Sequence, residues 1–288
     1  MIKIRPRHFL HPIRSARALY YLATTFAVRR WAENKIGLRR GRREVCWCGG
    51  DLRPFEYHSN YGVCKQCGCY VARRPPLPED LSRLYGFENY WHYRQPLKGC
   101  PPIEGRSAQD RSDGRLERWL SVIETYSASR RRVIEIGCAH GTLLGELKRR
   151  GYDCLGVEVD EKTAAWTREN VRVDMRAGIF PGIVLPPCEI FLAFDVLEHA
   201  LYPDQFLIEA ARLLTPGGVA IIQTPIDRHE SERPFADQNF ENVFDDAEHL
   251  FLFTIESMRK LAQVANLEII GEAHGVIDMD ITIFRKPV

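Results

Sequence analysis

From about residue 129 onward, short apolar runs alternate with helix-like stretches, and this alternation constrains the fold more than any other feature of the chain. Strand-like segments fall at 132–136, 154–159, 171–175, 189–195, 219–224, 267–273 and 276–284. Helix-like segments fall at 141–150, 161–170, 203–214 and 254–266, with a Pro216-Gly217-Gly218 turn between the third helix and the strand that follows it. Strand and helix in alternation build βαβ units, whose strands lie parallel and carry helices on both faces. The run EIFLAFD at 189–195 is almost continuously apolar, as in a strand covered on both sides. The expected fold is α/β, with a mainly parallel seven-stranded sheet over 129–288.

The first strand leads into VIEIGCAHGTLL, Val133 to Leu144, which reads as strand, nucleotide-cradling turn and helix start. A dinucleotide fingerprint needs G-x-G-x-x-G. Here the third position is Ala139 and the sixth is Thr142, so hydride chemistry on a nicotinamide is poorly supported. A phosphate-binding P-loop needs G-K-[ST] at its end, and Gly141-Thr142-Leu143 does not provide it. What remains is E-x-G-x-x-x-G. Glu135 beside the loop would repel a pyrophosphate and suit a cation. Glu158, at the end of LGVEVD, stands where an acid can accept hydrogen bonds from two ribose hydroxyls. The loop therefore suits a nucleoside that carries positive charge.

Four of the nine cysteines form two knuckles, Cys46-Trp47-Cys48-Gly49 and Cys64-Lys65-Gln66-Cys67-Gly68. Paired knuckles supply the four thiolates of a closed, structural zinc site. Gly49 and Gly68 suit the tight turns. The first pair has one intervening residue instead of two, which leaves Cys69 as a substitute ligand and free thiols or a redox pair as the competing reading. Residues 45–75 are thus expected to be a small zinc-ribbon-like module preceding the main sheet.

Residues 1–44 hold 12 Lys and Arg against two acids, so this head is about +10 while the whole chain is only +2. Its apolar centre, Ala18–Val28, is 11 residues long. A spanning helix needs about 20. Such a basic amphipathic segment favours an anionic membrane surface, ahead of docking on the chain's own acidic remainder. Nucleic acid ranks last, because no recognition module accompanies the charge. The expected location is the cytoplasm, at the inner face of the membrane. Residues 76–128 read as a linker with an aromatic patch, LYGFENYWHY, then a polar loop, then a helix over Arg115–Tyr126.

From about 129 to the end, the chain resembles class I S-adenosylmethionine-dependent methyltransferases, which are Rossmann-like. It is most similar to the branch holding quinone-biosynthesis and sugar methyltransferases. The resemblance rests on VIEIGCAHGTLL, CLGVEVD, IFLAFDVLEHALYPDQFLIEAARLLTPGGVAIIQTP and AEHLFLFTIESMRKLAQVANLEI, in that order. Some members of that branch also place a cysteine knuckle pair and a Y…Y segment first, as Cys46–Cys67 and Tyr85–Tyr90 do here. The resemblance implies that Glu135, Gly137, Cys138, Ala139 and Gly141 cradle the methionine part of the cofactor. It places Glu158 and Val159 at the ribose, Gly178, Ile179 and Phe180 at the adenine, and Asp195 and Val196 along the methyl-donor pocket. The acceptor it implies is a small-molecule hydroxyl, sugar-linked or lipid-linked, with a prenylated quinone-type ring as the alternative. A non-catalytic zinc-containing binding module is the third reading.

A hydroxyl acceptor needs a base to take its proton. His199 follows the strand at 189–195, where open sheets bind ligands, and His249 lies in the segment before the 254–266 helix. Either would serve. Glu248 reads as a surface or capping acid, and Tyr85, Tyr90, Trp91 and Tyr93 as packing or as a cover for the cofactor.

Overall fold

The computed structural model describes residues 33–228, 234–235, 243–276 and 279–288. The amphipathic head therefore lies outside the described residues, except for 33–44. Among the described residues no helix is long and apolar enough to cross a membrane.

Five β-branched and apolar runs pair in parallel through β4 (Arg132–Ile136), β5 (Asp153–Glu158), β6 (Asp174–Ala177), β7 (Cys188–Phe194) and β8 (Leu214–Thr224). Two further strands, β11 (Glu268–His274) and β12 (Asp280–Arg285), complete a seven-stranded sheet in the order β11-β12-β8-β7-β4-β5-β6. β12 runs antiparallel to both neighbours. The mainly parallel α/β sheet expected from the alternation is present.

From β4 the chain goes to β5 and β6 on one side, then returns to β7 and β8 on the other. The strand order thus reverses between β4 and β7, and the crevice at their C-terminal ends is where such sheets bind ligands. Gly137 follows one of these strands and Asp195 the other. β7 is buried along nearly its whole length, with Ile190, Phe191, Leu192 and Ala193 fully covered. Helices α3 (Thr142–Arg149), α4 (Glu161–Val171) and α5 (Pro203–Leu213) connect these parallel strands.

Two expectations need correction. The polar stretch before residue 115 is a helix, α1 (Ile103–Ser112), which precedes α2 (Arg115–Ser127). It buries only Ile103 and Asp110, so it shows no apolar stripe to read. The Pro216-Gly217-Gly218 segment is not a turn between elements. α5 passes directly into β8, and the prolyl-glycyl residues form a bulge where the pairing with β7 shifts register. Gly217 has φ +72°, a value that costs glycine least.

The cysteine-rich segment supplies β1 (Leu52–Pro54), β2 (Tyr61–Cys64) and β3 (Tyr70–Ala72). These do not stand alone. β3 pairs antiparallel with β10 (Phe251–Thr254), and β10 pairs parallel with β9 (Ile226–Asp227), giving a second sheet ordered β1-β2-β3-β10-β9. Phe55, Tyr61, Tyr70, Phe235 and Phe244 pack on it as a separate aromatic core.

Thr254 joins this sheet to α6 (Ile255–Val264). Its hydroxyl accepts from Ser257 N in a reciprocal capping box and donates to the Cys67 carbonyl. Thr254→Ala removes both bonds and is expected to cost about 1–2 kcal/mol. A lower urea midpoint at unchanged m-value checks this.

Candidate functional site

The loop after β4 is built on left-handed backbone: Gly137, Ala139 and Gly141 have φ of +65°, +52° and +69°. A Cβ on Gly137 would meet Val196 at 2.6 Å, and one on Gly141 would meet Thr167 at 2.4 Å. Side chains at these positions would push the loop off β7 and α4. Ala139 N donates to Glu158 Oε2 at 3.0 Å, and Val159 N donates to Glu158 Oε1 at 2.8 Å. Loop and second acid are thereby locked together. Cys138 is buried and its Sγ faces Met175. Gly178 N donates to the Glu158 carbonyl, Ile179 is half exposed beside it, and the Phe180 ring packs against Phe191 and Phe206. Asp195, at φ +56°, accepts from Gln223 Nε2.

Acidic groups crowd this crevice. Glu135 is 5% exposed, and its Oε2 has no hydrogen-bond partner. Burial, then the charges of Asp110 and Glu158, push its carboxyl up to about 8. Burial likewise raises Glu158 to about 7, against the pull of the Val159 and Ala139 amides. Asp110, fully buried on α1, bonds His140 Nε2 at 2.7 Å, and Arg115 Nε lies 3.5 Å from its other oxygen.

The two candidate bases meet. His199 and His249 stand edge to face with ring centroids 5.0 Å apart. His199 Nδ1 lies 2.8 Å from the Glu248 carbonyl and 3.0 Å from the Tyr85 hydroxyl. A carbonyl only accepts, so Nδ1 carries the proton and Nε2 keeps the lone pair. His249 Nδ1 donates to the Val243 carbonyl at 2.6 Å, which leaves its Nε2 free in the same way. Burial, then the neighbouring His249, lowers His199 to about 4. Burial also lowers His249. Glu198 is fully buried; Thr224 holds its Oε2, and Oε1 has no partner. One ligand atom from each of Glu198, His199 and His249 lies within 4.8 Å of the others.

Glu248 is not a surface acid. It is 2% exposed and paired with Arg94, itself 3% exposed, and with Lys98 at 2.5 Å. Burial opposes its ionisation, but Arg94 and Lys98 outweigh burial and hold it below the ordinary carboxylate range. Above this corner Tyr85 packs edge-on to His199, and Tyr90 packs on both Tyr85 and Trp91. Tyr93 is exposed, with Lys35 Nζ 4.2 Å from its ring centre.

The four knuckle cysteines converge. Cys46 and Cys67 sulfurs are 3.7 Å apart, and Cys48 lies 3.5 Å from both Cys64 and Cys67. Four thiolates around one zinc at ~2.3 Å stand about 3.8 Å from each other, so the set has the size of a zinc tetrahedron. Cys69 is not among the four. It is fully buried and donates its S–H to the Leu252 carbonyl. Gly49 and Gly68 turn the knuckles at φ +80° and +72°.

A family model described as "Methyltransferase domain" matches residues 108–272. A curated protein of Mycolicibacterium smegmatis, named "Probable S-adenosylmethionine-dependent methyltransferase", is 37% identical over 101 residues, covering 33% of this chain and 38% of its own length. A ubiquinone biosynthesis O-methyltransferase of Maricaulis maris is 32% identical over 101 residues, covering 32% of this chain and 40% of its own length. The chain thus spans about two fifths of the length of these relatives. The structure of an O-methyltransferase family protein from Burkholderia thailandensis is similar in fold at 18% identity, with TM-score 0.50 over 71% of this chain and 64% of that one.

The raised Glu135 carboxyl makes a stability prediction. The unfolded chain ionises this group near 4.5, whereas the folded protein holds it protonated to about 8. Stability from this site is therefore full below pH 4.5 and is lost as pH rises through 8. Glu135→Gln removes the penalty, so its Tm should exceed that of the wild type at pH 8, with the gap closing towards pH 5. Calorimetric scans at the two pH values check this; a gap independent of pH would contradict it.

Proposed function

The chain belongs to the methyltransferase-domain family, and on that premise we propose that it moves the methyl group of S-adenosylmethionine to a hydroxyl of a small molecule. The observation that carries the reading is His199: a partly buried neutral imidazole with its Nδ1 proton committed to the Glu248 carbonyl and its Nε2 without a hydrogen-bond partner among the described residues. The bound cofactor would supply an electrophilic methyl on a sulfonium. Glu135, Gly137, Cys138, Ala139 and Gly141 would hold its methionine end, and Glu158 and Val159 its ribose. Gly178 and Ile179 would border the adenine, and Asp195 and Val196 the donor methyl. The unpartnered Oε2 of Glu135 suits a ligand that brings positive charge.

At the acceptor end, His199 Nε2 would take the hydroxyl proton while the crevice aligns oxygen, methyl and sulfur. Alignment supplies much of the acceleration in such a displacement. The name of the Maricaulis maris relative favours a ring hydroxyl of a quinone-type acceptor over the sugar or glycan hydroxyl. The convergence of Glu198, His199 and His249 favours a second reading of the same corner. A divalent cation held by two imidazole Nε2 atoms and Glu198 would acidify an acceptor hydroxyl directly.

The cysteine set would hold a structural zinc, with no position open for catalysis. The basic head would bring the protein to an anionic membrane surface.

Three outcomes follow. His199→Ala should lower kcat by about 10²–10⁴-fold with cofactor affinity, read by calorimetry, unchanged. Added magnesium or manganese should leave the wild-type rate unchanged; a rise would favour the cation reading. The purified wild type should carry about one equivalent of zinc by elemental analysis, and Cys64→Ser should lose it and unfold at lower temperature.

A further inference from the structure

Gln223 is a buried amide on an apolar face, 3% exposed. On β8 it follows Val219 and Ile221 at two-residue spacing, and both of these pack with Trp119 in one core. A leucine would fill the same space. An amide at such a position costs free energy unless its ends are hydrogen-bonded. Both ends are. The Trp119 indole N–H donates to Gln223 Oε1 at 2.9 Å, and Gln223 Nε2 donates to Asp195 Oδ1 at 2.8 Å. An indole N–H only donates, so the amide oxygen must face Trp119 and the amide nitrogen must face Asp195. The Trp119 ring is itself fixed against Phe194, with centroids 4.8 Å apart. A Cβ on Gly275 would meet Gln223 Oε1 at 2.7 Å, so the chain before β12 closes over the amide as well.

Gln223 grips Asp195 a second time, because its carbonyl accepts from Asp195 N at 3.0 Å. Asp195 is the first residue past β7, at φ +56°, and its neighbour Val196 lies against Gly137 of the loop after β4. It therefore stands at the crevice where the strand order reverses. Among the described residues only Gln223 bonds the Asp195 side chain, and Oδ2 has no hydrogen-bond partner. Burial pushes the Asp195 carboxyl up, and the Gln223 bond acts against burial ahead of the charge of Arg115 on α2. One oxygen of this acid is thus fixed by a buried relay, and the other is left for a ligand. A cation beside it would favour the ionised form.

We propose that Gln223, held by Trp119, is a positioning residue that fixes the Asp195 side chain at the crevice, and that Asp195 selects the positively charged form of the cofactor. The proposal rests on the cofactor reading, in which Asp195 borders the donor methyl. S-adenosylmethionine carries a sulfonium there, and S-adenosylhomocysteine a neutral thioether. A carboxylate held in place attracts the first and gains nothing from the second, so the relay favours the donor over the spent product.

The test is calorimetry on the full chain with S-adenosylmethionine and S-adenosylhomocysteine, each titrated into the wild type, Asp195→Asn, Gln223→Met and the double variant. Asp195→Asn should lower the ratio of the two affinities by about tenfold or more. Gln223→Met should lower it by about threefold or more, with S-adenosylhomocysteine affinity unchanged. The double variant should match Asp195→Asn, because Gln223 acts only through Asp195. A Gln223→Met protein that keeps the wild-type ratio, or weakens both ligands equally, overturns the relay and leaves the cofactor reading standing. A double variant whose loss is the product of the single losses overturns it too. A wild type that binds neither ligand overturns the cofactor reading and the selection with it. Should Gln223→Met fail to fold by circular dichroism, Trp119→Phe takes its place, with a smaller fall in the ratio expected. In any case an Asp195→Asn protein with the wild-type ratio overturns the proposal.

Discussion

The pairing of β10 with β3 ties the His199–His249 corner of the molecule to its cysteine ribbon, and most of that corner depends on the tie. The segment just before β10 carries Glu248 and His249. It is gripped almost wholly from the N-terminal half: Asn60 and Arg40 bond Asp246, the Tyr61 hydroxyl donates to the His249 carbonyl, and Arg94 and Lys98 hold Glu248. Thr254 closes the arrangement on the Cys67 knuckle. A structural metal in the four-cysteine set would therefore act at a distance on His199, because the Glu248 carbonyl that fixes its tautomer belongs to the gripped segment.

The same segment explains how the ionisation of two buried acids close to His199 is pushed in opposite directions. Glu248 lies beside Arg94 and Lys98 and remains ionised despite burial. Among the described residues Glu198 has no Lys or Arg paired with it; burial and the nearby Asp195 push its carboxyl well above the ordinary value. Titratable groups driven apart by their surroundings are a frequent mark of a reactive site. Here Glu248 anchors the helical stretch Tyr90–Arg94, while Glu198 keeps an unfilled oxygen close to the two imidazoles.

Much of this was legible in the sequence because it is encoded locally. The strand alternation carries the sheet, the spacing of Glu135, Gly137 and Gly141 carries the loop, and the knuckle spacing carries the four cysteines. The parts that were not legible are contacts between distant segments. Asp110 sits in a polar run with a single apolar anchor, Ile103, so neither its helix nor its burial leaves a periodic trace. Glu248 looks like a surface acid until Arg94 is brought to it from more than a hundred residues away. The knuckle pattern alone could not separate Cys69 from the ligand set, because its exclusion depends on the Leu252 carbonyl in β10.

The aromatic patch illustrates how a local irregularity can send neighbouring rings to two places. Tyr90–Arg94 is a π-helical turn, with Gln95 N bonded to the Tyr90 carbonyl five residues back. Such widened turns are rare and concentrate at functional sites. Here the widening aims consecutive rings at different partners. Tyr90 packs on Tyr85, which packs edge-on to His199. Trp91 packs edge-on to His140 in the Gly137–Gly141 loop, and its indole N–H donates to Thr163 at the start of α4. Arg94, one turn on, fastens the whole stretch to Glu248. The Gly137–Gly141 loop and the His199 corner are thereby joined through one short helix as well as through the sheet beneath them.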